Sequence, residues 1–455
     1  MTKTMKEQLD ERIDDYCREL KIPGMALMVY QDGKSIYENY SGFRNVRENS
    51  PVNKDTVFGL ASITKPLTAC TVMKLTSEGK ICVTDKVKDW LPDLQWPDQA
   101  AFETLTIKHL MSHTSGLPGL PAIHNARLRS IMSDPDGEFL FGRPVTGASL
   151  IDTVDELIEQ LNTLEFELLG APGEVFNYSN EGYGLLQKII ENAAGKSFPD
   201  YVHDNIFIPL KMDRSSFLTS SVQEKENTAE LYAYEEDKKG VFHSPEWWDV
   251  GEIYTNGSWK ASARDVMTFA EMLRLNEPDS VSEGIRQMTS SFTSLPNGGD
   301  YGFGIEINDT GGYKRFGHGG SIKGVSSNFQ VIRDEKISAV LLINMADVPA
   351  EKILVNVLNI ILGISETSPF SDDGIKNNVD LSDLTGIYHS DEGYRVPVLS
   401  DDGVLMLDRG AEVTAFYPLS EQDFVSKAGE RIYFRRKDSK VVSVLLGKRV
   451  LVKQK

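Results

Sequence analysis

Strand-like segments occur at both ends of the first 362 residues, and helix-like segments fill the sequence between them. Two runs rich in β-branched and aromatic residues, 25–30 and 35–40, flank Asp32-Gly33, which is typical of a hairpin turn. A second group of such runs lies at 301–343. Strands from distant segments share one core most simply by pairing in one antiparallel sheet. The predicted fold class is therefore α+β, with an antiparallel sheet flanked by helices.

Helical periodicity and short β runs predict an element for most of this part of the chain. Residues 118–150 are rich in glycine and proline and are predicted to form a loop insertion. Residues 220–262 are polar and irregular, and their Trp247-Trp248 pair is interpreted as a loop anchor, with pocket lining as the alternative. The predicted helices cover 5–20, 63–78, 105–117, 151–163, 181–194, 264–275 and about 349–362, and the late strands cover 301–307, 313–316, 325–332 and 337–343.

The C-terminal part of the chain has a different pattern, short β runs separated by turns. Residues 365–383 are predicted to be a linker between a catalytic domain, 1–364, and a small all-β barrel, 384–455. Its six predicted strands cover 395–399, 404–407, 415–419, 431–435, 441–445 and 449–452. No motif connects this barrel with the candidate site, so we expect it to contribute nothing there. The basic cluster at 435–437 is interpreted as a solvated strand end.

Charge and cysteine content exclude several classes of function. The chain has 48 basic and 67 acidic residues, a net charge of −19, which argues against nucleic acid and membrane surfaces as partners. Residues 371–455 hold 13 basic and 14 acidic residues, so this nearly neutral part suits subunit contacts and predicts a homo-oligomer. Three cysteines without close spacing predict neither a disulfide framework nor a zinc site. With no apolar leader or 18-residue apolar run, the cytoplasm is the predicted location.

Candidate catalytic residues begin with Ser62 and Lys65, three positions apart at the start of an apolar helix. Residues at that spacing lie on one face of a helix, so the amine reaches the hydroxyl and can remove its proton. The second Ser-x-x-Lys copy, Ser77 to Lys80, contains a helix-ending glycine and is interpreted as a C-terminal cap. The pattern alone is weak, because it gains meaning only with partner motifs.

Partner motifs are present downstream in the expected order. Tyr178-Ser-Asn180 follows an Ala-Pro-Gly-Glu turn and precedes a predicted helix. His318-Gly319-Gly320-Ser321 lies at a strand position in the late sheet. His113, within Leu-Met-Ser-His-Thr-Ser-Gly, is interpreted as a packing residue.

Together these motifs resemble those of the serine β-lactamase and penicillin-binding protein superfamily, specifically its class C-like branch of peptidases and esterases. The resemblance covers about residues 8–362. The His-Gly-Gly element and the β tail look most like a subgroup of archaeal self-compartmentalising serine peptidases that form closed octamers and act on peptides containing D-amino acids. The resemblance implies an all-helical subdomain beside the sheet and a lipocalin-like C-terminal barrel.

The resemblance also implies a role for each motif residue. Ser62 is the acyl-accepting nucleophile, and Lys65 shares its proton. Tyr178 is the second member of the base and passes the proton to the leaving group. Asn180 holds Lys65 and the acyl side chain of the substrate.

The third motif implies a substrate-binding strand with one departure. Gly319, Gly320 and Ser321 would border the substrate, and the N–H groups of Ser62 and Ser321 would form the oxyanion hole. His318 replaces the lysine that holds a substrate carboxylate in β-lactamases and carboxypeptidases. Imidazole is mostly neutral at pH 7, so carboxylate recognition there should be weak, although His318 could relay protons. Water activation for deacylation would fall to Tyr178 or His318.

These implications lead to one main functional hypothesis and two alternatives. The main hypothesis is a serine hydrolase that forms an acyl-enzyme and cleaves short peptides containing D-amino acids. The first alternative is a carboxylesterase, or an enzyme with weak β-lactamase or penicillin-binding activity, on the same machinery. The second is a catalytically silent ligand-binding or scaffold protein. The sequence predicts no metal site and no cofactor.

Overall fold

The computed structural model describes residues 3–141, 150–223, 226–235, 240–365, 370, 374–376, 379–410 and 412–454. Thirteen strands precede residue 350 in this part of the chain. They are β1 (Gly24–Gln31), β2 (Lys34–Asn45), β3 (Ser50–Pro51), β4 (Val57–Gly59), β5 (Tyr232–Glu235), β6 (Gly240–His243), β7 (Lys260–Ser262), β8 (Thr293–Ser294), β9 (Asp300–Tyr301), β10 (Glu306–Thr310), β11 (Tyr313–Ile322), β12 (Val325–Ile332) and β13 (Ile337–Ile343).

Helices lie before, between and after these strands. They are α1 (Lys3–Glu19), α2 (Thr64–Ser77), α3 (Val87–Trp90), α4 (Gln99–Thr104), α5 (Ile107–Met111), α6 (Ala122–Asn125), α7 (Leu128–Ser133), α8 (Gly137–Phe141), α9 (Val154–Thr163), α10 (Asn180–Ala194), α11 (Phe198–Val202), α12 (Thr219–Gln223), α13 (Ala263–Leu275), α14 (Asp279–Met288) and α15 (Ala350–Leu362). A 3-10 turn, Ala61–Ile63, precedes α2, and a π-helical turn, His203–Phe207, follows α11.

Nine of the strands form one antiparallel sheet in the order β3-β2-β1-β13-β12-β11-β10-β9-β8. Leu27 of β1 lies opposite Leu341 of β13, so the first and last segments of this body pair directly. Strand β13 is buried at every position, as expected for a central strand covered on both faces. The predicted α+β class with an antiparallel sheet is confirmed.

Each face of the sheet packs against its own group of helices. On one face, α1 and α15 bury a core that includes Leu9, Ile13 and Leu354. The opposite face packs against the larger helical body, whose core includes Leu67, Phe269 and Leu342. Helix α2 crosses this larger core with eleven buried residues, so its N-terminal end is held rigidly at the sheet.

Several local predictions were wrong in extent. Residues 118–141 are not a continuous loop, since they contain α6, α7 and α8; 142–149 lie outside the described residues. The predicted helix 105–117 shortens to α5, after which His113 has a left-handed φ of 58°. Residues 220–262 contain β5 and β6, which pair with each other, and β7, whose partner β4 is too distant in the sequence for a local pattern to show. The predicted strand 301–307 is divided into β9 and β10, and 313–316 extends to Ile322.

The C-terminal residues form a closed barrel of eight strands, not six. These are β14 (Gly386–His389), β15 (Arg395–Asp401), β16 (Val404–Asp408), β17 (Val413–Pro418), β18 (Asp423–Ser426), β19 (Arg431–Lys437), β20 (Lys440–Leu446) and β21 (Arg449–Lys453). The two missed strands, β14 and β18, have four residues each, which is too short for a clear alternating pattern. Their pairing closes the barrel around its own core, which includes Leu407, Phe416 and Phe434. Much of the predicted linker, at 366–369, 371–373 and 377–378, lies outside the described residues.

The barrel packs against the first body at one corner. Leu445 and Val450 of the barrel share an apolar cluster with Val175, Phe176 and Tyr301. Arg435 donates a hydrogen bond to the carbonyl of Leu169. The basic cluster at 435–437 is therefore not simply a solvated strand end. No helix among the described residues is long and apolar enough to cross a membrane.

Candidate active site

Ser62 lies on the 3-10 turn between β4 and α2, two positions before the first residue of α2. Ala61, just before it, has a φ of 47°, a left-handed conformation that non-glycine residues rarely adopt and that is found often at functional sites. Strand β11 approaches this turn so closely that a Cβ on Gly320 would lie 2.1 Å from the carbonyl oxygen of Leu60. Only glycine permits this approach, which places the strand edge beside Ser62.

Lys65 is completely buried and has three oxygen neighbours. Its Nζ lies 3.2 Å from Ser62 Oγ, 2.9 Å from Asn180 Oδ1 and 2.7 Å from the carbonyl oxygen of Asn256. Burial lowers the pKa of Lys65 well below its usual value, and the positive charge of Arg449 lowers it further. A neutral amine can donate its two hydrogens to the asparagine oxygens, which leaves its lone pair directed at the Ser62 hydroxyl.

Tyr178 and Asn180 reach Ser62 and Lys65 from the loop that starts α10. Ser179 caps this helix, because its Oγ accepts a hydrogen bond from Gly182 N at 3.0 Å. Burial raises the pKa of Tyr178 and the neighbouring Ser62 side chain offsets this only in part, so Tyr178 is a neutral phenol near pH 7. Lys65 Nζ also lies 4.6 Å from the centre of the Tyr178 ring. The structure thus brings Ser62, Lys65, Tyr178 and Asn180 together.

The His113 ring lies against the ring of Tyr178, whereas its sequence context alone predicts only a packing residue. The centres of the two rings are 4.2 Å apart. Nδ1 of His113 accepts a hydrogen bond from the backbone N–H of Ser179 at 3.0 Å. Burial lowers the pKa of His113 well below its usual value, so the ring is neutral. It packs and also orients the loop that carries Tyr178 and Asn180.

His318, Gly319, Gly320 and Ser321 lie on β11, on the other side of Ser62. Strand β10 pairs with β11 only as far as Gly317, so these four residues have no partner on the β10 side. Ser321 lines the same cavity as Ser62 and Asn180, and Gly319 and Gly320 line a wider groove beside it. The structure thus places these four residues along the space beside Ser62.

His318 has both ring nitrogens engaged. Nδ1 lies 2.6 Å from the carbonyl oxygen of Gly319, so Nδ1 carries the proton. Nε2 lies 3.1 Å from the Tyr301 hydroxyl, which donates to it. Burial lowers the pKa of His318 well below its usual value, with Lys448 and Lys65 adding to the effect. His318 is therefore a neutral residue that cannot replace a lysine as a carboxylate-binding cation.

Ser62 lies between two spaces of different shape. An enclosed cavity of about 150 Å³ is bounded by residues that include Asn180, Arg127 and Trp248. On the other side, a groove of about 1650 Å³ runs past His318 and Lys448 towards α15. Trp248 therefore lines the pocket, while Trp247 packs against Gly59 and serves as the loop anchor.

The barrel contributes directly to this site, so the expectation that it would contribute nothing was wrong. The carbonyl oxygen of Lys448 accepts a hydrogen bond from Tyr178 N at 3.0 Å, and Val450 N donates to Asn177 Oδ1 at 2.8 Å. Arg449 Nη1 donates to the carbonyl of Tyr178, and its guanidinium lies 4.9 Å from the centre of the Tyr178 ring. Tyr394 and Arg449 both line the enclosed cavity.

A buried charge cluster connects the barrel with the body behind this cavity. Arg449 Nη1 donates to Glu392 Oε1 at 2.6 Å. Glu392 and Glu181 are both almost completely buried. Burial raises the pKa of Glu392 to about 7 and also raises the pKa of Glu181. The two carboxyl groups are therefore easier to protonate than exposed ones.

Sequence reasoning missed the residues that reach the site from outside its motifs. Arg127, in the turn between α6 and α7, and Glu392, Tyr394 and Arg449 of the barrel have no local signal, because only the fold brings them near Ser62. His113 had the weak signal of a conspicuous Ser-His-Thr-Ser-Gly segment. The described residues contain no group of three His, Cys, Asp or Glu side chains that could hold a metal ion.

Comparison with known proteins gives one family match and several relatives. Residues 7–358 match the β-lactamase family. Protein flp of Staphylococcus aureus (strain MW2) is 26% identical over 320 residues, which cover 68% of this chain and 57% of that protein. The D-aminopeptidase of Brucella anthropi is 25% identical over 375 residues, or 81% of this chain and 64% of that protein. The chain thus spans about three fifths of the length of these relatives.

Solved structures extend the likeness to the barrel. The octameric penicillin-binding protein homologue from Pyrococcus abyssi has a TM-score of 0.72 and 27% identity, covering 98% of this chain and 99% of its own. A class C β-lactamase has a TM-score of 0.62 at 19% identity, covering 80% of this chain and 97% of its own, and shows the fold alone. The similarity to the octameric homologue therefore includes the C-terminal domain.

Proposed function

The chain belongs to the β-lactamase family, and we propose that it is a serine hydrolase that cleaves short peptides containing D-amino acids through an acyl-enzyme on Ser62. The observation that carries this proposal is the position of Lys65. A buried amine with a strongly lowered pKa lies 3.2 Å from the Ser62 hydroxyl. An exposed lysine is an ammonium at neutral pH and has no lone pair for a proton, so burial supplies the base.

Acylation begins when the Ser62 hydroxyl transfers its proton to Lys65 as Oγ attacks the substrate carbonyl carbon. The N–H groups of Ser62 and Ser321 are the proposed donors to the oxyanion, and the close approach of β11 at Gly320 supports this role. Tyr178 then gives its proton to the leaving nitrogen. The Tyr178 oxygen takes up the proton held by Lys65, so both groups return to their starting state. The carbon–nitrogen bond breaks, and the acyl group stays on Ser62.

Deacylation repeats these steps with water as the nucleophile. We assign the activation of that water to Lys65 and Tyr178 and not to His318. Nε2 of His318 is held by the Tyr301 hydroxyl, and Nδ1 by a carbonyl oxygen, so neither nitrogen is free to accept a proton from water. His318 instead keeps the groove uncharged at the position where carboxypeptidases bind a free carboxylate.

The choice of substrate is supported by relatives and by the neutral His318. The chain is similar to a D-aminopeptidase and, over its whole length, to a penicillin-binding protein homologue. A neutral imidazole at His318 disfavours penicillins and free peptide C-termini, whose carboxylates require a cation. Amide substrates whose recognition lies elsewhere in the site fit this arrangement better.

Intact-mass measurement of wild type and Ser62→Ala, incubated with D-alanine-containing peptides, tests the proposal. We expect peptide cleavage by wild type and a loss of about 10⁶-fold in turnover in the variant. Ser77→Ala is the matched control, because it alters the second Ser-x-x-Lys copy at the end of α2. Full turnover by Ser62→Ala would sink the mechanism. Hydrolysis of p-nitrophenyl esters without any D-amino-acid anilide would indicate an esterase instead.

We also propose that the catalytic unit ends near residue 364, that the barrel begins near 384, and that the barrel mediates homo-oligomer formation. The relative from Pyrococcus abyssi is octameric and shares the barrel. Leu399 and Val413, on the barrel strands β15 and β17, are 58% and 55% exposed, which is high for apolar side chains. Light scattering should show a smaller assembly for Leu399→Lys than for wild type. An unchanged mass would contradict this interface.

A further inference from the structure

We propose that the enclosed cavity beside Ser62 selects substrates whose acyl part carries an anionic side chain. The Arg127 guanidinium binds this side chain. This inference rests on the proposed acyl-enzyme function and names the substrate class for that same site. The cationic group comes from the helical body, outside every motif that the sequence analysis identified.

The enclosed cavity suits the acyl part of the substrate and not the leaving group. The leaving group must diffuse away before water can attack, while the acyl part stays bonded to Ser62 until deacylation. The wide groove of about 1650 Å³ gives the leaving group an exit. The cavity of about 150 Å³ is smaller and is lined by residues that include Trp248 and, from the barrel, Tyr394 and Arg449.

Arg127 reaches this cavity with a guanidinium that nothing neutralises by direct contact. Its Nε is buried and has no hydrogen-bond acceptor. Within the described residues, its side chain forms neither a hydrogen bond nor an ion pair. A buried donor without an acceptor is costly, and a carboxylate placed against a guanidinium forms short, paired hydrogen bonds. An anionic substrate group would therefore supply the missing partner of Arg127.

The neighbouring charges do not cancel this positive charge. Arg449 already donates to Glu392 and to the carbonyl of Tyr178. Glu392 and Glu181 act on Arg127 only at longer range, because neither forms an ion pair with it. The raised pKa of Glu392, about 7, also reduces its negative charge near pH 7. A substrate ammonium at this position would meet two guanidinium groups, so a carboxylate is favoured over a free amine.

The cavity volume limits the anion to one compact side chain. About 150 Å³ corresponds to roughly five water molecules at about 30 Å³ each, whereas drug-sized ligands occupy pockets of about 300 Å³ or more. A D-glutamyl or D-aspartyl side chain fits this range, and a large aromatic group does not. The Trp248 and Val250 side chains add apolar wall for the methylene groups.

The test compares two ligands that differ only in charge. N-acetyl-D-glutamic acid α-amide and N-acetyl-D-glutamine α-amide are measured for protection of Ser62 against a fluorophosphonate probe, and the corresponding p-nitroanilides are measured for turnover. We expect the glutamic acid member to protect and to react about ten- to hundredfold better. In Arg127→Met this ratio should fall to about one. Arg129→Met, which alters an exposed arginine of α7 that pairs with Asp152, should retain it.

Each outcome separates this inference from the proposed function. If the probe labels Ser62 but both ligands protect equally, or the preference survives in Arg127→Met, the inference is overturned and the serine hydrolase stands. A circular dichroism spectrum and a thermal unfolding midpoint that match those of wild type show that Arg127→Met is folded. If Ser62 in wild type is not labelled at all, the proposed function fails and the inference fails with it.

Discussion

The body and the barrel both form walls of the cavity at Ser62, but they hold their side chains by different means. The body positions Ser62 and Lys65 on α2, which crosses a large core. The barrel has a separate core and reaches the enclosed cavity through Tyr394 and through Arg449 at the start of β21. This difference indicates that the body holds the reacting atoms, while one corner of the barrel adjusts their charge and orientation.

The largest effect that tests this comparison is expected from Phe416→Ala, deep in the barrel core. Phe416 is fully buried, so its truncation should lower the free energy of unfolding of the barrel by about 3–5 kcal/mol. Thermal unfolding followed by calorimetry should then show an earlier barrel transition, with the body transition unchanged. Phe269→Ala, in the core of the body, is the matched control and should affect the body transition. A single transition that moves in both variants would show that the two cores unfold as one unit.

A smaller effect is expected from Arg449→Met, combined with Glu392→Gln so that no buried carboxylate loses its partner. Removing the positive charge of Arg449 raises the pKa of Lys65, because that charge holds it down. Less neutral amine remains at pH 7, so kcat/KM should fall by about ten- to hundredfold. The acidic limb of the pH–rate profile should also move to higher pH, which lost packing alone would not cause. An unmoved limb would limit Arg449 to a structural role.

The smallest effect is expected from Glu392→Gln alone, in the pH dependence of stability. The pKa of Glu392 is raised from 4.5 to about 7, so the folded protein binds this proton more tightly than the unfolded chain. Its stabilising contribution is complete below about pH 4.5 and is lost as the pH rises through about 7. Denaturant unfolding measures the free energy of unfolding at each pH. Between pH 4.5 and 8, the variant should lose about 1–3 kcal/mol less of this free energy than wild type loses. Parallel curves for both proteins would contradict the raised pKa.

Short motifs predicted a large part of the candidate site because they encode local geometry. The Ser62 to Lys65 spacing places both residues on one turn of a helix. The Tyr178-Ser-Asn180 segment carries its own cap in Ser179, so its helix begins where the sequence predicts. Gly320 could be placed at a close approach only after the structure showed the carbonyl of Leu60 opposite it.

Elements with distant partners were the least predictable from the sequence. Strand β7 has three residues and exists because β4, two hundred positions earlier, pairs with it. Strands β14 and β18 have four residues each; β14 pairs with β21 to close the barrel, and β18 fills the place between β17 and β19. The role of His113 was missed because a histidine in an apolar segment has the same pattern whether it packs or orients a catalytic loop.

The sequence alone determined the α+β body, the C-terminal barrel and the residues grouped around Ser62, because these depend on periodicity and on spacing within a few residues. The folded arrangement was needed to show that burial lowers the pKa values of Lys65 and His318 and that Arg449 and Arg127 line the cavity. The physical reason is that burial and charge depend on neighbours brought together by folding. The charge of Arg449 acts on Lys65 although the two residues are far apart in the sequence, so no local pattern indicates that they are neighbours.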